Sequence, residues 1–385
     1  MDVESPKFKV SNIQNGATTP LKYESMPTLY AAITNHGFGH ATRTAAVLAE
    51  IQRQNPEIAI VIATSAPQWL LEEYILGDFV LRDRTFDIGV IQADSLHIDK
   101  HTTLSKLQYI QQHQAEILEA EREFFEANPV DLIFADMPPL ATQLAKSAGV
   151  PCWMAGNFGW DFIYRDWSHD LDGEFLAIAD WMSGLYSQCD RLFRLPFHEP
   201  MSSFPHIQDV GLTGGSPRYT PEEMREKFQL DRDRPTAMLT FGGLSLSQIP
   251  YDNLAHFPEW QFITFDLNAP DLPNLTRVGR NGLRPVDLMG VCDRLITKPG
   301  YGTLSEACRV GIPIVCLTRE GFIEAETLIA GVRDYTHHLI ISPAEFYEGD
   351  WQFLTDPLVP PALENARLDP NGETEITSEI LKYFL

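Results

Sequence analysis

Within residues 298–306, KPGYGTLSE, a lysine, two glycines, a hydroxyl and a carboxylate fall around one turn of chain. Glycines here permit a sharp break, and a helix that starts after them leaves backbone N–H groups without intrahelical partners. The helix dipole favours negative charge at the same end. Lys298 sets a full positive charge beside Gly300, Tyr301, Gly302 and Thr303. Glu306, one turn in, is placed to accept from a pair of sugar hydroxyls. The ligand this implies is a diphosphate attached to a ribose. A capping box of Thr303 with Glu306, closing an ordinary helix, has the same spacing. Spacing alone leaves both open.

Such groups need a strand to deliver them. Residues 295–297 read as a short buried strand, which Pro299 ends because it cannot donate to a ladder. The helix that follows puts Leu304, Ala307, Cys308 and Val310 on one side, and Gly311 is its C-terminal cap. Residues 312–317 are the next strand, and a second helix starts near Phe322. Strand, glycine loop, helix and strand make one βαβ unit of a parallel sheet. The N-terminal half opens in the same way. A strand at 29–34 runs into His36-Gly37-Phe38-Gly39-His40, and a helix with Ala41, Ala45, Leu48 and Ile51 on one face leads to a strand at 58–63. Thr42 stands where a dinucleotide fingerprint needs its third glycine, so that fingerprint is not made.

Further along, residues 104–125 form a long charged helix that serves packing. A strand at 130–135 delivers Asp136 to its C-terminal end, where open parallel sheets bind ligands. A helix at 140–148, closed by Gly149, leads to a strand at 150–155 that ends before Asn157, Trp160 and Asp161. Those three suit a sugar face and its hydroxyls, although a buried core tryptophan is the commoner arrangement. Arg43, one turn into the first helix, is placed either to meet a phosphate or acidic acceptor or to pack. Residues 204–234, rich in Pro, Gly and charge, suit an interdomain connection. Beyond them a strand at 237–240 ends in Gly242-Gly243, whose lack of side chains lets a diphosphate reach backbone N–H groups.

Composition narrows the class. Among 385 residues, 29 basic against 53 acidic give a net charge of −24, which argues against nucleic acid or an anionic bilayer as partner. No apolar run approaches the ~18 residues of a membrane span, and residues 1–26 have no apolar core of the kind a signal peptide has. We read 1–26 as a mobile tail. The five cysteines lack metal-site spacing and are expected to be reduced and inert in a cytoplasmic protein. Asp231-Arg232-Asp233 lies in the charged connector and reads as a solvated run; no metal is expected.

The pattern Gly-x-Thr-x-x-Glu, followed by Gly-x-Pro and an acidic residue, resembles the donor site of nucleotide-sugar glycosyltransferases of the GT-B fold. HGFGHATR (36–43), NFGWDFIY (157–164) and KPGYGTLSEA (298–307), with REGFIEAE after it, are together similar to the glycosyltransferase-like half of the L-arabinokinase family. The resemblance implies two Rossmann-like α/β domains whose parallel sheets face across a cleft. Expected spans are 27–215 for the acceptor side and 216–355 for the donor side, with 356–385 ending in a helix that crosses back over the junction. It implies that the loop and helix start at 300–303 hold the diphosphate, Glu306 the ribose, and Arg319 and Glu324 the sugar. This chain departs from the family by carrying Lys298-Pro299 and Glu324 where many members have His and Asp-Gln.

The same resemblance implies that His40 deprotonates an acceptor hydroxyl and that Asp136 orients it. An Asp on one imidazole nitrogen fixes the tautomer and leaves the other nitrogen basic. His36 is the reserve base; Gly37, Gly39, Arg43, Asn157, Trp160 and Asp161 form the acceptor side. The activity implied is metal-independent, inverting transfer from a nucleotide-diphosphate sugar to a small-molecule or glycan acceptor, with no cofactor beyond that co-substrate. A sensor that only binds the nucleotide sugar, or an epimerase or hydrolase on this fold, is the alternative.

Overall fold

A computed structural model describes residues 11–12, 26–92, 98–242, 249–279 and 282–385. Two all-parallel sheets carry the chain. In the first, β1 (Ser11–Asn12), β2 (Thr28–Ile33), β3 (Ala59–Ala63), β4 (Val80–Arg82), β5 (Leu132–Asp136), β6 (Cys152–Gly156), β7 (Arg191–Arg194) and β8 (Ile207–Asp209) lie in the order β1-β4-β3-β2-β5-β6-β7-β8. In the second, β9 (Thr236–Leu239), β10 (Gln261–Thr264), β11 (Leu275–Arg277), β12 (Arg294–Thr297), β13 (Ile314–Leu317) and β14 (His338–Ile341) lie in the order β11-β10-β9-β12-β13-β14. The expected α/β architecture of two Rossmann-like units is present.

The helices of the first half are α1 (Gly39–Gln54), α2 (Gln68–Glu72), α3 (Lys100–Ala127), α4 (Ala141–Ala148), α5 (Trp160–Asp166) and α6 (Glu174–Tyr186). The rest are α7 (Pro221–Phe228), α8 (Pro285–Met289), α9 (Tyr301–Val310), α10 (Glu324–Tyr335), α11 (Pro343–Tyr347) and α12 (Gly372–Phe384). Strands buried on both faces read as continuous apolar runs, and β2 and β5 are buried at every position. Side chains alternate between faces. Leu29, Ala31 and Ile33 join the layer with α1, while Tyr30 and Ala32 join the layer with α3 and α6. Gly311 adopts φ 80° as the left-handed cap of α9.

The strand order matters for function. Leaving aside the edge strand β1, each sheet reverses direction once: between β2 and β5 in the first, and between β9 and β12 in the second. Loops after adjacent strands part at such a reversal and leave a crevice at the carboxyl ends. Ile33 is paired with Asp136 across the first reversal, and Leu239 with Ile296 across the second. The loops carrying His36–His40, Asp136, Gly242 and Lys298–Thr303 therefore all leave from the two reversals.

Two expectations change. Ser11 and Asn12, within the stretch read as a mobile tail, pair with Val80 and Leu81 as an edge strand. The connection read at 204–234 is shorter, because β8 completes the first sheet and α7 is a capped helix with Thr220 and Glu223 as its capping box. Among the described residues, no helix is long and apolar enough to cross a membrane.

The last helix, α12, lies against α1 and joins the same apolar cluster. Arg191 pairs with Glu379 at 2.7 Å, and Tyr383 Oη donates to the Asp131 carbonyl at 3.0 Å. Ile376 and Ile380 are fully buried there. Ile380→Ala should lose about 2–5 kcal/mol of stability in urea unfolding; a loss below about 1 kcal/mol would mean the helix is not docked.

Candidate active site

Both helices that enter the cleft start without a side-chain cap. Phe38 and Gly300 occupy the N-cap positions of α1 and α9, neither makes a side-chain cap bond, and neither helix has an acidic residue in its first turn. The two N-termini meet. A methyl group added at Gly302 would lie 3.4 Å from Gly39 Cα and from Thr42 Oγ1, so glycine at 302 sets how closely the helices approach. Two positive dipole ends thus face one space. It is lined by residues from both domains, among them His36, His40, Gly242, Lys298, Arg319 and Glu324, and encloses about 100 Å³. Gly37, Gly39, Gly300, Tyr301, Gly302 and Thr303 line it as well. Gly243 lies outside the described residues.

Arg319 is the unusual cation of this space. Its guanidinium lies 4.2 Å over the Phe322 ring, and among the described residues its Nε and Nη2 have no hydrogen-bond partner although both are buried. Burial lowers its pKa to about 10, against the raising influence of Glu324. A buried guanidinium with open donors is costly until an anion fills them.

Across the cleft, His40 Nδ1 and Asp136 Oδ1 are 2.7 Å apart. That bond leaves Nε2 as the nitrogen available on a ring that lines the cleft. Asp136 does more than hold His40. Arg43 Nε and Nη2 donate to its Oδ2 and Oδ1, each at 2.6 Å, and Thr44 Oγ1 donates to Oδ2 at 2.9 Å. Burial alone would raise the Asp136 pKa, but the Arg43 guanidinium and His40 outweigh it and hold the carboxyl at about 2. It stays a carboxylate throughout the neutral range.

Several expected roles change. Arg43 lines the cleft but is 3% exposed, and its donors go to Asp136 and Asn157, the packed one of its two expected roles. Asn157 is wholly buried between Arg43 and Glu324. Trp160 shows no surface; it packs beneath both histidines, 5.3 Å from the His36 ring and 6.0 Å from His40. Asp161 is buried and accepts from Ser203 Oγ. Of the residues expected on the acceptor side, Gly37, Gly39 and Arg43 line the cleft, while Asn157, Trp160 and Asp161 do not.

His36, the reserve base expected from the sequence, lines the same space but is held differently from His40. Val90 N–H donates to its Nδ1 at 3.4 Å, which puts the ring proton on Nε2. Burial first, then the positive field of His40, Arg319 and Lys298, pushes its pKa well below the usual value. It is a neutral ring with an N–H to give. Tyr301 is likewise held in the interface, its hydroxyl 3.4 Å from the Thr213 N–H and its ring under Arg43.

Glu306 does not act as a cap. No cap bond from Thr303 forms; instead Gly215 N–H and Tyr74 Oη donate to Glu306 Oε1 at 2.8 and 3.2 Å. The interdomain connection and the first domain thus close over the carboxylate. Neither Tyr74 nor Gly215 carries a local sequence signal. Asp87 was also missed: it accepts from Thr34 Oγ1 at 2.6 Å, close to His40, and burial raises its pKa to about 6.

Burial raises the Glu306 pKa from 4.5 to about 7, against the lowering influence of the Gly215 N–H, Arg284, Tyr74 and Arg309. A raised native pKa means the folded state binds more protons between those values, so stability falls as pH rises from about 4.5 to 7. Asp87 adds in the same sense. Glu306→Gln keeps an acceptor for Gly215 and Tyr74, and should flatten that slope relative to wild type in urea unfolding at stepped pH. An unchanged slope would mean that Glu306 is ionised in the folded protein.

No protein-family model matches the chain. It is 28% identical over 333 residues to L-arabinokinase of Arabidopsis thaliana, a match that covers 83% of this chain and 31% of that protein. The chain thus spans about a third of the length of that relative. Its fold is similar to CalG4, the calicheamicin glycosyltransferase, with a TM-score of 0.61 at 16% identity over 94% of this chain and 98% of that one. Spinosyn forosaminyltransferase SpnP gives 0.57 at 13% identity, over 93% and 94% of the two chains. A putative UDP-N-acetylglucosamine 2-epimerase from Listeria monocytogenes gives 0.52 at 10% identity, over 94% and 97%.

Proposed function

We propose that this chain, which has the GT-B glycosyltransferase fold, transfers a sugar from a nucleotide-diphosphate sugar to a hydroxyl acceptor. The observation that carries the reading is one shared space lined by two uncapped helix N-termini, by Lys298 and by Arg319, whose buried Nε and Nη2 have no partner among the described residues. That is a site for a compact, multiply charged anion with many acceptor oxygens, which a diphosphate is.

The chemistry follows from the two walls. The acceptor O–H meets His40 Nε2 while its oxygen attacks the anomeric carbon from the face opposite the leaving group. As the new C–O bond forms, the bond to the phosphate oxygen breaks and the proton passes to His40. Asp136 keeps the Nδ1–H tautomer and stabilises the imidazolium. The released diphosphate keeps the bonding pair, and its charge falls on Lys298, Arg319 and the starts of α1 and α9, fixed donors that need no reorganisation. Those groups supply the neutralisation for which other transferases recruit a metal ion. One displacement inverts the anomeric centre.

A second reading has its own support. About 100 Å³ of free space holds a phosphate group more readily than a sugar acceptor, which favours water in the acceptor's place and a nucleotide-sugar hydrolase. Product analysis with and without added acceptors separates the two.

Arg319→Leu should weaken a nucleotide-diphosphate sugar, screened across a panel by calorimetry, by roughly 1.5–3 kcal/mol, the scale of a lost charge-assisted bond. Binding of the nucleoside alone should scarcely change. Equal loss for both ligands would remove the diphosphate from this site. His40→Ala should bind the donor as wild type does and transfer nothing; full transfer would assign the proton to another group.

A further inference from the structure

A relay of five side chains, four of them buried, runs from the second domain to His40. Glu324, at the start of α10 in the second domain, accepts from Asn157 Nδ2 at 2.9 Å. Asn157 Oδ1 accepts from Arg43 Nη1 at 2.8 Å. Arg43 grips Asp136 with its other two edges, and Asp136 Oδ1 holds His40. The amide has one possible orientation: turned over, it would set N–H against guanidinium and C=O against carboxylate. Arg43, Asn157, Asp136 and His40 are all within 5% of full burial, so water cannot stand in for a missing partner.

The consequence lies at Asp136 Oδ1, which accepts from both His40 Nδ1 and Arg43 Nη2. Those two nitrogens are only 3.1 Å apart. Where the guanidinium is held thus decides how that oxygen is shared with the imidazole. The second domain supplies two of the things that hold it: Glu324 through Asn157, and the Tyr301 ring at 5.0 Å. The charged or titratable groups around His40 are Asp136, Arg43, Asp87 and His36.

We propose that Glu324 is a positioning residue that acts through Asn157 and Arg43, setting the His40–Asp136 pair for proton transfer only when the second domain is closed on the first. Residues 319–324 carry both Glu324 and the open Arg319, so a diphosphate that draws on Arg319 acts on the same short segment that sets the base. Donor occupancy and base geometry are thereby linked. The inference rests on His40 being the base proposed above, but its physical content is a dependence of one imidazole on a carboxylate in the other domain.

The test reads the ring directly. Long-range ¹H–¹⁵N spectra of the full chain, with the His40 signals assigned by their absence in His40→Gln, report the tautomer at one fixed pH. Wild type should show the Nδ1–H form. Glu324→Ala and Asn157→Leu should each give a mixed or averaged ring, Glu324→Gln should restore the wild-type pattern because it still accepts from Asn157, and the double variant should add nothing to either single one. In kinetics, Asn157→Leu should lower kcat roughly tenfold with little change in donor KM. Unchanged ring signals in Glu324→Ala, or effects that sum in the double variant, overturn the relay. If Asn157→Leu fails to fold, Glu324→Ala and Glu324→Gln decide it. Absence of transfer by wild type would refute the transferase, while the ring signals, read without turnover, would still decide the relay.

Discussion

Burying a guanidinium beside a carboxylate is favourable only when the remaining donors and lone pairs are met. The Arg43–Asp136 pair satisfies that condition by recruiting every nearby element. Asp136 ends β5, Arg43 and Thr44 rise from α1, Asn157 follows β6, and Glu324 starts α10. Three adjacent strands of one sheet and a helix of the other domain are tied to one charge pair. Loss of either partner would leave a bare charge in a dry site, a larger penalty than the pair's net gain. The pair therefore fixes where β2, β5 and β6 end relative to one another, and so where His40 can sit.

The second domain repeats the topology without repeating the chemistry. The first sheet reverses between β2 and β5 and the second between β9 and β12, and both send a glycine turn into an uncapped helix from that reversal. In the first domain the helix start carries an imidazole backed by a carboxylate. In the second, the turn carries Lys298, and Arg319 follows β13. One fold thus sets an imidazole–carboxylate pair on one wall and two cations on the other, with the two helix starts in contact between them. Phe322 reinforces the contact by joining the first domain's core beside Phe158.

What could be read from the sequence was what is local. Strand, glycine turn and helix are periodic over about ten residues, and the two units that open on His36 and Lys298 lie at the reversals of both sheets. Asp136 at the end of its strand followed from the apolar run before it. What failed was what depends on distant chain. Arg43 and Asn157 are 114 positions apart, and Glu306 and Tyr74 are 232 apart. Nothing in the spacing around Glu306 tells that the connection at Gly215 folds over it. Trp160 is the buried core tryptophan, the commoner of its two readings, but the two histidines it supports lie more than a hundred residues earlier. Only the packed fold shows that it is a floor.

Net charge sets the last constraint. At −24 the surface repels an anionic ligand, but such repulsion is screened beyond a Debye length of about 8 Å at physiological ionic strength. Discrimination must then come from the depth of the cleft. Lys298 and Arg319 line it with two helix ends, and Arg319 is buried, where solvent screening is weak and a charge-assisted bond counts for more. Arg319 pays in desolvation while the cleft is empty, and its lowered pKa is the sign of that cost. A phosphate relieves the cost on arrival; a neutral sugar does not. On the proposed reading, recognition on an acidic protein rests on a cation kept buried and short of partners among the described residues.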